Sequence, residues 1–323
     1  MNAEMAGRVL AERDCRLIAA LQCDGRVPAE RVAEVLGVPT RVVQRRRAEL
    51  LATGVVRVVA TPPRPSVDGV MLVRIRILRG KVEAVSQALA SRHDVPLVEL
   101  SASGDQVIAV VLPGADHPGS LLFEQLPTSG AVISVDAQTV IHVFSDAADW
   151  TADYLSPQER GALTSASARV AGRAGHGTSL DDVDAAIAGA LAADGRRPAA
   201  AVAREIGQPE STVRRRIAGL LESGLLITQV IIDPKLLGLP VDADLRMQVP
   251  PGRLDETGRA LARHPAVHGA MVTTGPANLT VAVWLGSLGH LYQFITRDLA
   301  RLGVSNVDTL LIGRSVKRPA GTW

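Results

Sequence analysis

Apolar residues recur at spacings of three and four through residues 208–224, whose sequence is QPESTVRRRIAGLLESG. This period places Val213, Ile217 and Leu220 on one face of a helix. Three consecutive arginines, residues 214–216, cover much of the remaining surface. The pattern therefore predicts an amphipathic helix with one buried stripe and a strongly basic exposed side.

A second short helix is predicted just upstream, over residues 198–206, with Gly207 in the tight turn that follows it. Pro209 suits the first turn of the basic helix, where a missing N–H costs no hydrogen bond, and Gly224 suits a left-handed end. Two short helices joined by a glycine-containing turn, the second of them basic, are typical of a helix-turn-helix.

The same pattern occurs twice in the chain, because residues 38–54 read VPTRVVQRRRAELLATG. Aligning Gly25 with Gly195 sets an offset of 170 residues, and no gap is needed within either copy. Residues that meet an identical partner at this offset include Asp14, Leu21, Asp24, Arg26, Pro28, Val32, Ala33, Gly37, Pro39, Val43, Arg45, Arg46, Leu50, Leu51 and Gly54. The chain therefore contains an internal duplication.

Each basic helix is followed by a β-rich run and then by a mixed α/β segment. The runs over residues 55–61 and 225–232 are expected to form a small wing in each copy. Beyond them, the periodicity predicts the order β-α-β-β-α-β, which is the ferredoxin-like split unit. The predicted elements are residues 71–78, 81–92, 95–101, 106–112, 120–126 and 131–144 in the first copy, and 241–249, 253–264, 267–273, 279–285, 287–302 and 304–312 in the second.

Composition narrows the class of protein. The chain has 323 residues and a formal net charge of only +2, so any nucleic-acid surface must come from local clustering of arginine. Cys15 and Cys23 lie too far apart on one predicted helix for a disulfide, which favours a reducing cytoplasm. No signal peptide or membrane span is expected. Zinc-ligand spacing, a phosphate-binding glycine loop and a nucleophile elbow are all missing, so we expect no metal and no cofactor.

The motifs LDDVDAAIAGALAADGRRP and EIGQPESTVRRRIAGLLESGLL, followed by an αβ unit, resemble the Lrp/AsnC (feast-famine) family of transcriptional regulators. The resemblance covers residues 180–314 and, more weakly, residues 10–144. It implies binding of double-stranded DNA by the helix-turn-helix, oligomerisation through the αβ sheet, and control by an amino acid or related metabolite. Most members of such a family carry one copy, so this chain looks like a tandem fusion of two.

The resemblance and the element order together predict an α+β protein, in which two winged helix-turn-helix domains alternate with two ferredoxin-like βαββαβ domains of the RAM type. The expected domains are residues 1–62 and 180–236 for the helix-turn-helix copies, 63–146 and 237–323 for the αβ copies, and 147–179 for the linker. Within the linker, Ser156 and Glu159 are spaced as a capping box. We expect a cytoplasmic homo-oligomer whose partners are double-stranded DNA and a small amino-acid-like effector.

The candidate DNA-reading residues lie on the basic helices, from which side chains can reach base edges and phosphates. They are Arg41, Gln44, Arg45 and Arg46 in the first copy, and Ser211, Thr212, Arg214, Arg215 and Arg216 in the second. Gln44 suits bidentate readout of adenine, and an arginine suits guanine. The alternative interpretation is that these arginines form a solvated helix face.

The candidate effector residues come from the resemblance, which implies a sensing loop between the second and third strands of the αβ unit. In the family this loop carries Thr-Gly followed by an acidic residue. The matching residues are Ser103, Gly104 and Asp105 in the first copy, and Thr274, Gly275 and Asn278 in the second. In the second copy an asparagine therefore stands where the family favours aspartate.

The first copy departs from the helix-turn-helix pattern at Arg47, which occupies the position of Ile217. A fully buried, unpaired arginine would be prohibitive, so we expect the stem of Arg47 to pack and its guanidinium to reach solvent. The second copy is therefore the better candidate for DNA reading.

Two other classes of function stay open. Sirohaem decarboxylases resemble this family in both domains, so an enzyme on the same architecture is the main alternative. Such an enzyme would need a titratable cluster in the αβ cleft, for which His93, His142 and His268 are only scattered candidates. A scaffold that binds protein partners alone is the third class. The arginine-rich helices favour a non-enzymatic DNA-binding regulator over both.

Overall fold

A computed structural model describes residues 9–62, 69–113, 130–164 and 180–318. Its helices are α1 (Glu12–Cys23), α2 (Ala29–Leu36), α3 (Thr40–Ala52), α4 (Val82–Ala90), α5 (Pro157–Leu163), α6 (Asp182–Leu191), α7 (Ala199–Ile206), α8 (Glu210–Glu222), α9 (Leu254–Ala262) and α10 (Leu288–Gln293), which continues into a π-helical turn. Its strands are β1 (Arg57–Thr61), β2 (Met71–Ile77), β3 (Leu97–Ser101), β4 (Gln106–Val111), β5 (Val132–Ser145), β6 (Ile227–Ile231), β7 (Val241–Gln248), β8 (Val267–Thr273), β9 (Leu279–Leu285) and β10 (Asn306–Lys317). The predicted helix over residues 120–126 lies outside the described residues.

The chain divides into two compact units, and each unit is built from two separate stretches of sequence. The first unit combines Met1–Pro65 with Thr151–Leu237, and the second combines Ser66–Trp150 with Gly238–Trp323. Each unit therefore brings together both copies of one half of the duplication. The first unit holds the two helix-turn-helix copies, and the second holds the two αβ copies.

An antiparallel ladder between β1 and β6 joins the two helix-turn-helix copies of the first unit. Val59 pairs with Gln229 at its centre, and these two residues are themselves equivalent at the offset of 170. The ladder therefore lies on an approximate twofold axis between the copies. Each copy contributes one strand to this shared ladder in place of the separate wing expected from the sequence. A strand's partner depends on long-range packing, which a local pattern does not encode.

The DGR turns of the two copies also meet across this axis. Arg26 donates to the backbone oxygen of Gly195, and Arg196 donates to the backbone oxygen of Gly25. A Cβ added at Gly195 would lie 2.7 Å from the backbone carbon of Val59, so this close approach requires glycine. The reciprocal contacts couple the two helix-turn-helix copies into one unit.

Part of the expected linker packs within the first unit. The capping box predicted at the start of α5 is confirmed, because the Ser156 hydroxyl accepts from the Glu159 N–H and the Glu159 carboxylate accepts from the Ser156 N–H. Glu159 also forms an ion pair with Arg16 of α1. Leu155 and Leu163 are buried. This segment therefore adds to the core around the first helix-turn-helix copy, while residues 165–179 lie outside the described part of the chain.

The second unit is a closed antiparallel barrel with the strand order β10-β3-β4-β2-β5-β8-β9-β7. Within it, β3-β4-β2-β5 and β8-β9-β7-β10 each have the order of a ferredoxin-like split unit, so the predicted α+β fold class is confirmed. Each copy closes the sheet of the other, since β5 pairs with β8 and β10 pairs with β3. Val140 pairs with Thr273 and Ile312 pairs with Ser101, so these two ladders are equivalent at an offset of 172 residues.

Side chains alternate between the two faces of the barrel wall. On the outer face, apolar residues such as Val73 and Leu245 pack with the apolar residues of the helices. The alternate positions point into the closed barrel, and they include the charged residues Arg74, Asp244 and Arg246. Closure of the barrel therefore gives this unit a polar interior in addition to its apolar outer core.

Candidate functional site

The basic helix of the second copy, α8, packs its apolar stripe into a three-helix core. Val213, Ile217 and Leu220 are buried with residues of α6 and α7, as their spacing predicts. Gly207 ends α7 with a φ of 67°, which lets the chain turn sharply into α8. The opposite side of α8 is exposed and carries the candidate DNA-reading residues.

On that exposed side, Ser211, Arg214 and Arg215 face solvent and Thr212 is half-buried. Arg214 forms an ion pair with Glu210, one turn earlier in the helix. An ion pair at the surface contributes little to stability. The Arg214 guanidinium can therefore exchange this glutamate for a phosphate or a base edge at low cost.

The equivalent side of α3 carries Arg41, Gln44 and Arg45, which are also exposed. Nε2 of Gln44 donates to Oε1 of Glu30 at 3.2 Å, and Nε of Arg45 lies 3.9 Å from a carboxylate oxygen of Glu49. Both contacts lie at the surface, where a competing ligand can replace them. The two basic helices, α3 and α8, are thus the candidate recognition helices, and they present polar and basic side chains on corresponding faces.

Arg46 and Arg216 differ from the other candidates because both turn towards acidic residues of the protein. Arg46 binds the two carboxylate oxygens of Asp14 at 2.7 and 2.8 Å, and the Asp14 side chain is only 3% exposed. Hydrogen bonding to Asp14 raises the pKa of Arg46 above its ordinary value. Arg216 bridges Asp181 and Asp184 at 2.6 and 2.9 Å. Both arginines tie the basic helix to the first helix of its copy, an internal role that spacing alone did not reveal.

Arg47 lies at the edge of the apolar stripe of α3. Its Nη1 donates to the backbone oxygen of Val27 at 3.3 Å, and the residue is half-buried, as expected for a side chain that is not forced into the core. Burial, together with the positive charges of Arg47 and Arg26, lowers the pKa of Arg196 to about 10. The first copy therefore contributes an extra positive charge to an arginine cluster at its junction with the second.

The candidate effector residues of the second copy lie between β8 and β9. Oγ1 of Thr274 accepts from the N–H of Thr139 at 2.9 Å. The amide of Asn278 accepts from the N–H of Val249 at 2.9 Å and donates to its carbonyl oxygen at 2.8 Å. Gly275 has a φ of 98°, a conformation that favours glycine. These features fix the shape of the loop and leave Thr274 and Gly275 exposed.

In the first copy, the loop between β3 and β4 is held by its own side chains. The Ser103 hydroxyl donates to the Asp105 carboxylate at 2.5 Å, and this bond lowers the pKa of Asp105. Nη2 of Arg76 lies 3.5 Å from the same carboxylate, and Gly104 has a φ of 72°. The two loops are thus built from different contacts and offer a ligand different chemistry.

A buried polar cluster inside the barrel was not evident from the sequence. Arg318 donates to Glu99 at 2.9 and 3.1 Å and to Asp242 at 2.7 Å. The His268 ring stacks on Trp284 with centroids 3.8 Å apart, and its Nε2 lies 3.5 Å from Oδ1 of Asp242. The signal that could have revealed the cluster is the alternation of charged residues along β7. In sequence, such alternation is typical of a solvent-facing side.

Burial perturbs the carboxyl groups of this cluster. Burial and the charge of Asp242 raise the pKa of Glu99 to about 8, and the same two causes raise the pKa of Asp244 to about 7. Burial alone would also raise the pKa of Asp242, but His268 and Arg318 lower it below its ordinary value. Two carboxyl groups therefore titrate near neutral pH inside the barrel.

The other histidine candidates lie apart from this cluster, since His93 and His142 are both exposed. Within the described residues, no three His, Cys, Asp or Glu side chains come together in a way that could hold a metal ion. Cys15 and Cys23 are free thiols, and both are buried. Across the same part of the chain, no helix has the length and apolar character needed to span a membrane.

Comparison with known proteins identifies both halves of the second copy. An AsnC-type helix-turn-helix domain matches residues 180–221, and an Lrp/AsnC ligand binding domain matches residues 243–321. An uncharacterized HTH-type transcriptional regulator of Pyrococcus horikoshii is 30% identical over 141 residues, which make up 43% of this chain and 89% of the relative. An HTH-type transcriptional regulator of Methanocaldococcus jannaschii is 29% identical, over 43% of this chain and 95% of the relative.

The likeness to a solved structure can extend along almost the whole chain. The crystal structure of the siroheme decarboxylase NirDL covers 94% of this chain and 92% of its own, with a TM-score of 0.56 and 16% sequence identity. At that identity the likeness concerns the fold alone. The two regulators each match less than half of this chain, in agreement with its internal duplication. Two domain matches in order, and a relative 30% identical along 89% of its length, show that the chain belongs to the Lrp/AsnC family of helix-turn-helix transcriptional regulators.

Proposed function

We propose that this chain regulates transcription by binding duplex DNA through α3 and α8. The proposal rests on the exposed basic side of each helix, whose contacts within the protein are surface contacts. In helix-turn-helix proteins the second helix enters the major groove and places its early residues at base edges. The approximate twofold axis between the two copies suits a duplex that carries two half-sites.

The proposed DNA-reading residues are those that remain accessible on the two helices. They are Arg41, Gln44 and Arg45 in α3, and Ser211, Thr212, Arg214 and Arg215 in α8. Arg46 and Arg216 are left out because carboxylates of the protein occupy their guanidinium groups. Arginine suits the edge of guanine and glutamine the edge of adenine, while hydroxyl groups suit either bases or phosphates.

An electrophoretic mobility shift assay on the DNA upstream of the chain's own gene tests this proposal. Affinity is expected to fall steeply with salt, because each phosphate contact releases counterions. Arg214→Ala combined with Arg215→Ala should weaken binding at least about tenfold. The charge-matched control changes Arg263 and Arg301, two exposed arginines of the second unit, and should leave affinity unchanged. Absent or salt-insensitive binding would refute the proposal.

The second copy is expected to contribute more of the binding than the first. The change equivalent to the double variant in α8 is Gln44→Ala with Arg45→Ala in α3, at the offset of 170. That change removes one positive charge, whereas the change in α8 removes two. Equal losses of affinity in the same assay would argue against this ranking.

We further propose that a small metabolite, such as an amino acid, controls DNA binding from the αβ unit. Support comes from the ligand binding domain match over residues 243–321 and from the exposed residues Thr274 and Gly275, in a loop whose far end Asn278 ties to the backbone of Val249. The corresponding surface in the first copy is formed by Ser103, Gly104 and Asp105. Titrating each amino acid into the protein–DNA complex should reveal one that shifts affinity, and Thr274→Val should reduce the shift. If none alters DNA affinity or thermal stability, this part of the proposal fails.

A homo-oligomer is also proposed. Leu288 and Tyr292 lie one turn apart on α10, with 59% and 69% of their surfaces exposed, and form an apolar patch suited to a second copy of the chain. Light scattering should therefore give a mass of at least two chains. Leu288→Asp with Tyr292→Asp should lower that mass. A strict monomer at all concentrations would contradict the proposal.

The buried cluster favours one second candidate function, an enzyme. Glu99, Asp242 and His268 belong to the cluster, and their equivalents at the offset of 172 are Met271, Val70 and Pro96. Each of these three titratable residues therefore has an apolar residue at the equivalent place in the other copy. The likeness in fold to NirDL supplies a reaction to test, the decarboxylation of sirohaem. If the chain releases carbon dioxide from sirohaem and the His268→Ala variant does not, the result favours the enzyme. If the chain leaves sirohaem unchanged, the result favours the regulator.

A further inference from the structure

Resting on the proposed DNA binding, we propose that the operator is a pair of different half-sites and not a palindrome. A homodimer presents the same recognition helix twice and therefore selects two copies of one base sequence. This chain presents two recognition helices of different sequence from a single polypeptide. Its partner is therefore an asymmetric duplex.

The backbone that holds the two helices is symmetric. The β1–β6 ladder is centred on Val59 and Gln229, which are equivalent residues of the two copies. Gly37 and Gly207 precede the recognition helices with φ angles of 65° and 67°, and both helices have 13 residues. The two helices are therefore related by the approximate twofold axis and approach a duplex in equivalent ways.

The exposed side chains break this symmetry. Among the early positions that are exposed in α3, three differ from α8: Arg41 corresponds to Ser211, Val42 to Thr212, and Gln44 to Arg214. At these positions α3 carries a cation, an apolar group and an amide, whereas α8 carries a hydroxyl, a second hydroxyl and a cation. The next position is shared, since Arg45 corresponds to Arg215. An arginine there suits phosphate, which is common to every base sequence.

Each set of side chains points to a different base sequence. Val42 is 42% exposed, and in the major groove an apolar side chain suits the methyl group of thymine. Gln44 suits the adjacent acceptor and donor of adenine, so the first half-site is expected to be rich in A·T pairs. Arg214 presents paired donors that suit the two acceptors of guanine. The second half-site is therefore expected to contain a G·C pair where the first has A·T.

Selection of bound duplexes from a random library by the full chain tests the inference. The enriched site should contain two different half-sites whose centres lie one helical turn, about 10 base pairs, or a multiple of it apart. Replacing one half-site by a copy of the other should weaken binding by roughly tenfold for each base pair that is mismatched.

A helix-swap variant sharpens the test. Arg41→Ser, Val42→Thr and Gln44→Arg together give α3 the reading residues of α8, and all three positions are exposed, so the fold should be kept. Circular dichroism checks that it is. This variant should select a palindrome built from the second half-site. The reciprocal exchange in α8 should select a palindrome built from the first.

The outcomes separate this inference from the proposal on which it rests. Selection by the unaltered chain of sites built only from copies of one half-site, or a swap variant that selects the same site as the unaltered chain, overturns the inference and leaves DNA binding in place. Salt-sensitive binding without any sequence enrichment also overturns the inference and leaves DNA binding in place. Failure to bind any duplex overturns the proposed function, and the inference with it.

Discussion

Replacing Arg46 by alanine should destabilise the first unit far more than replacing its equivalent, Arg216. Arg46 pairs with Asp14, whose side chain is 3% exposed, so the change leaves a buried carboxylate without its partner. Removing one partner of a buried ion pair costs about 3–5 kcal/mol. Because 36% of the Arg46 side chain is itself exposed, we expect the lower end of this range, about 3 kcal/mol.

The same change at Arg216 leaves the carboxylates of Asp181 and Asp184, whose side chains are 55% and 20% exposed. Water can solvate both groups once the arginine is gone, so no buried charge remains unpaired. The loss of stability in Arg216→Ala is therefore expected to be close to the limit of detection. The two equivalent arginines thus form a matched pair that differs in the burial of their acidic partners.

Hydrogen exchange followed by mass spectrometry can measure these losses locally, which matters because a chain with two units need not unfold in a single step. In Arg46→Ala, the amides of α1 and α3 should exchange roughly a hundredfold faster than in the unaltered chain. In Arg216→Ala, the amides of α6 and α8 should stay near their original rates. The strands of the second unit provide an internal reference. Equal acceleration in the two variants, or none in Arg46→Ala, would refute the view that burial of Asp14 sets the cost.

Three further changes have definite expected outcomes. Arg47→Ile should stabilise the first unit by about 1 kcal/mol, because it removes a charge from the arginine cluster and completes an apolar stripe. Gly258→Ala should destabilise the second unit by about 2–3 kcal/mol, because the added Cβ would overlap the ring of Phe144. Stability of the second unit should fall as the pH rises from about 5 to about 9. The pKa values of Glu99 and Asp244, about 8 and 7, mean that both groups hold protons when folded that the unfolded chain has already released.

Thermal or denaturant unfolding followed by circular dichroism measures each of these changes. Gly219→Ala, where no neighbouring atom lies within 4 Å of the added Cβ, should not destabilise. Glu99→Gln should flatten the fall in stability at alkaline pH, and an unaltered pH profile in this variant would count against the raised pKa of Glu99. A destabilising Arg47→Ile would mean that the hydrogen bond to Val27 outweighs the apolar contact.

The helices and strands were predictable because their signals are local. The spacing of Val213, Ile217 and Leu220 predicts both the helix and its buried face, and the structure buries all three. The pairing of β1 with β6 was not predictable in the same way. Each strand satisfies its own alternation whichever partner it takes, so the choice depends on how the two copies pack together.

The candidate site could be predicted only in part for the same reason. The basic side of α8 follows from helical spacing, but the role of Arg46 depends on Asp14, which lies 32 residues away in the sequence. The charged positions of β7, among them Asp242 and Asp244, have the spacing of a solvent-facing side. They lie inside because eight strands close into a barrel, and closure is a property of all the strands together.

The β1–β6 ladder joins two segments of one polypeptide, so its formation is an intramolecular event. The effective concentration of the two helix-turn-helix copies is set by the connecting chain and not by the abundance of the protein. The pairing should therefore persist on dilution, where a dimer of separate chains would dissociate. A genetic consequence follows. The ladder pairs a damaged recognition helix only with the other recognition helix of the same chain. A mutant allele therefore does not inactivate, through this ladder, the helix pairs encoded by a normal allele.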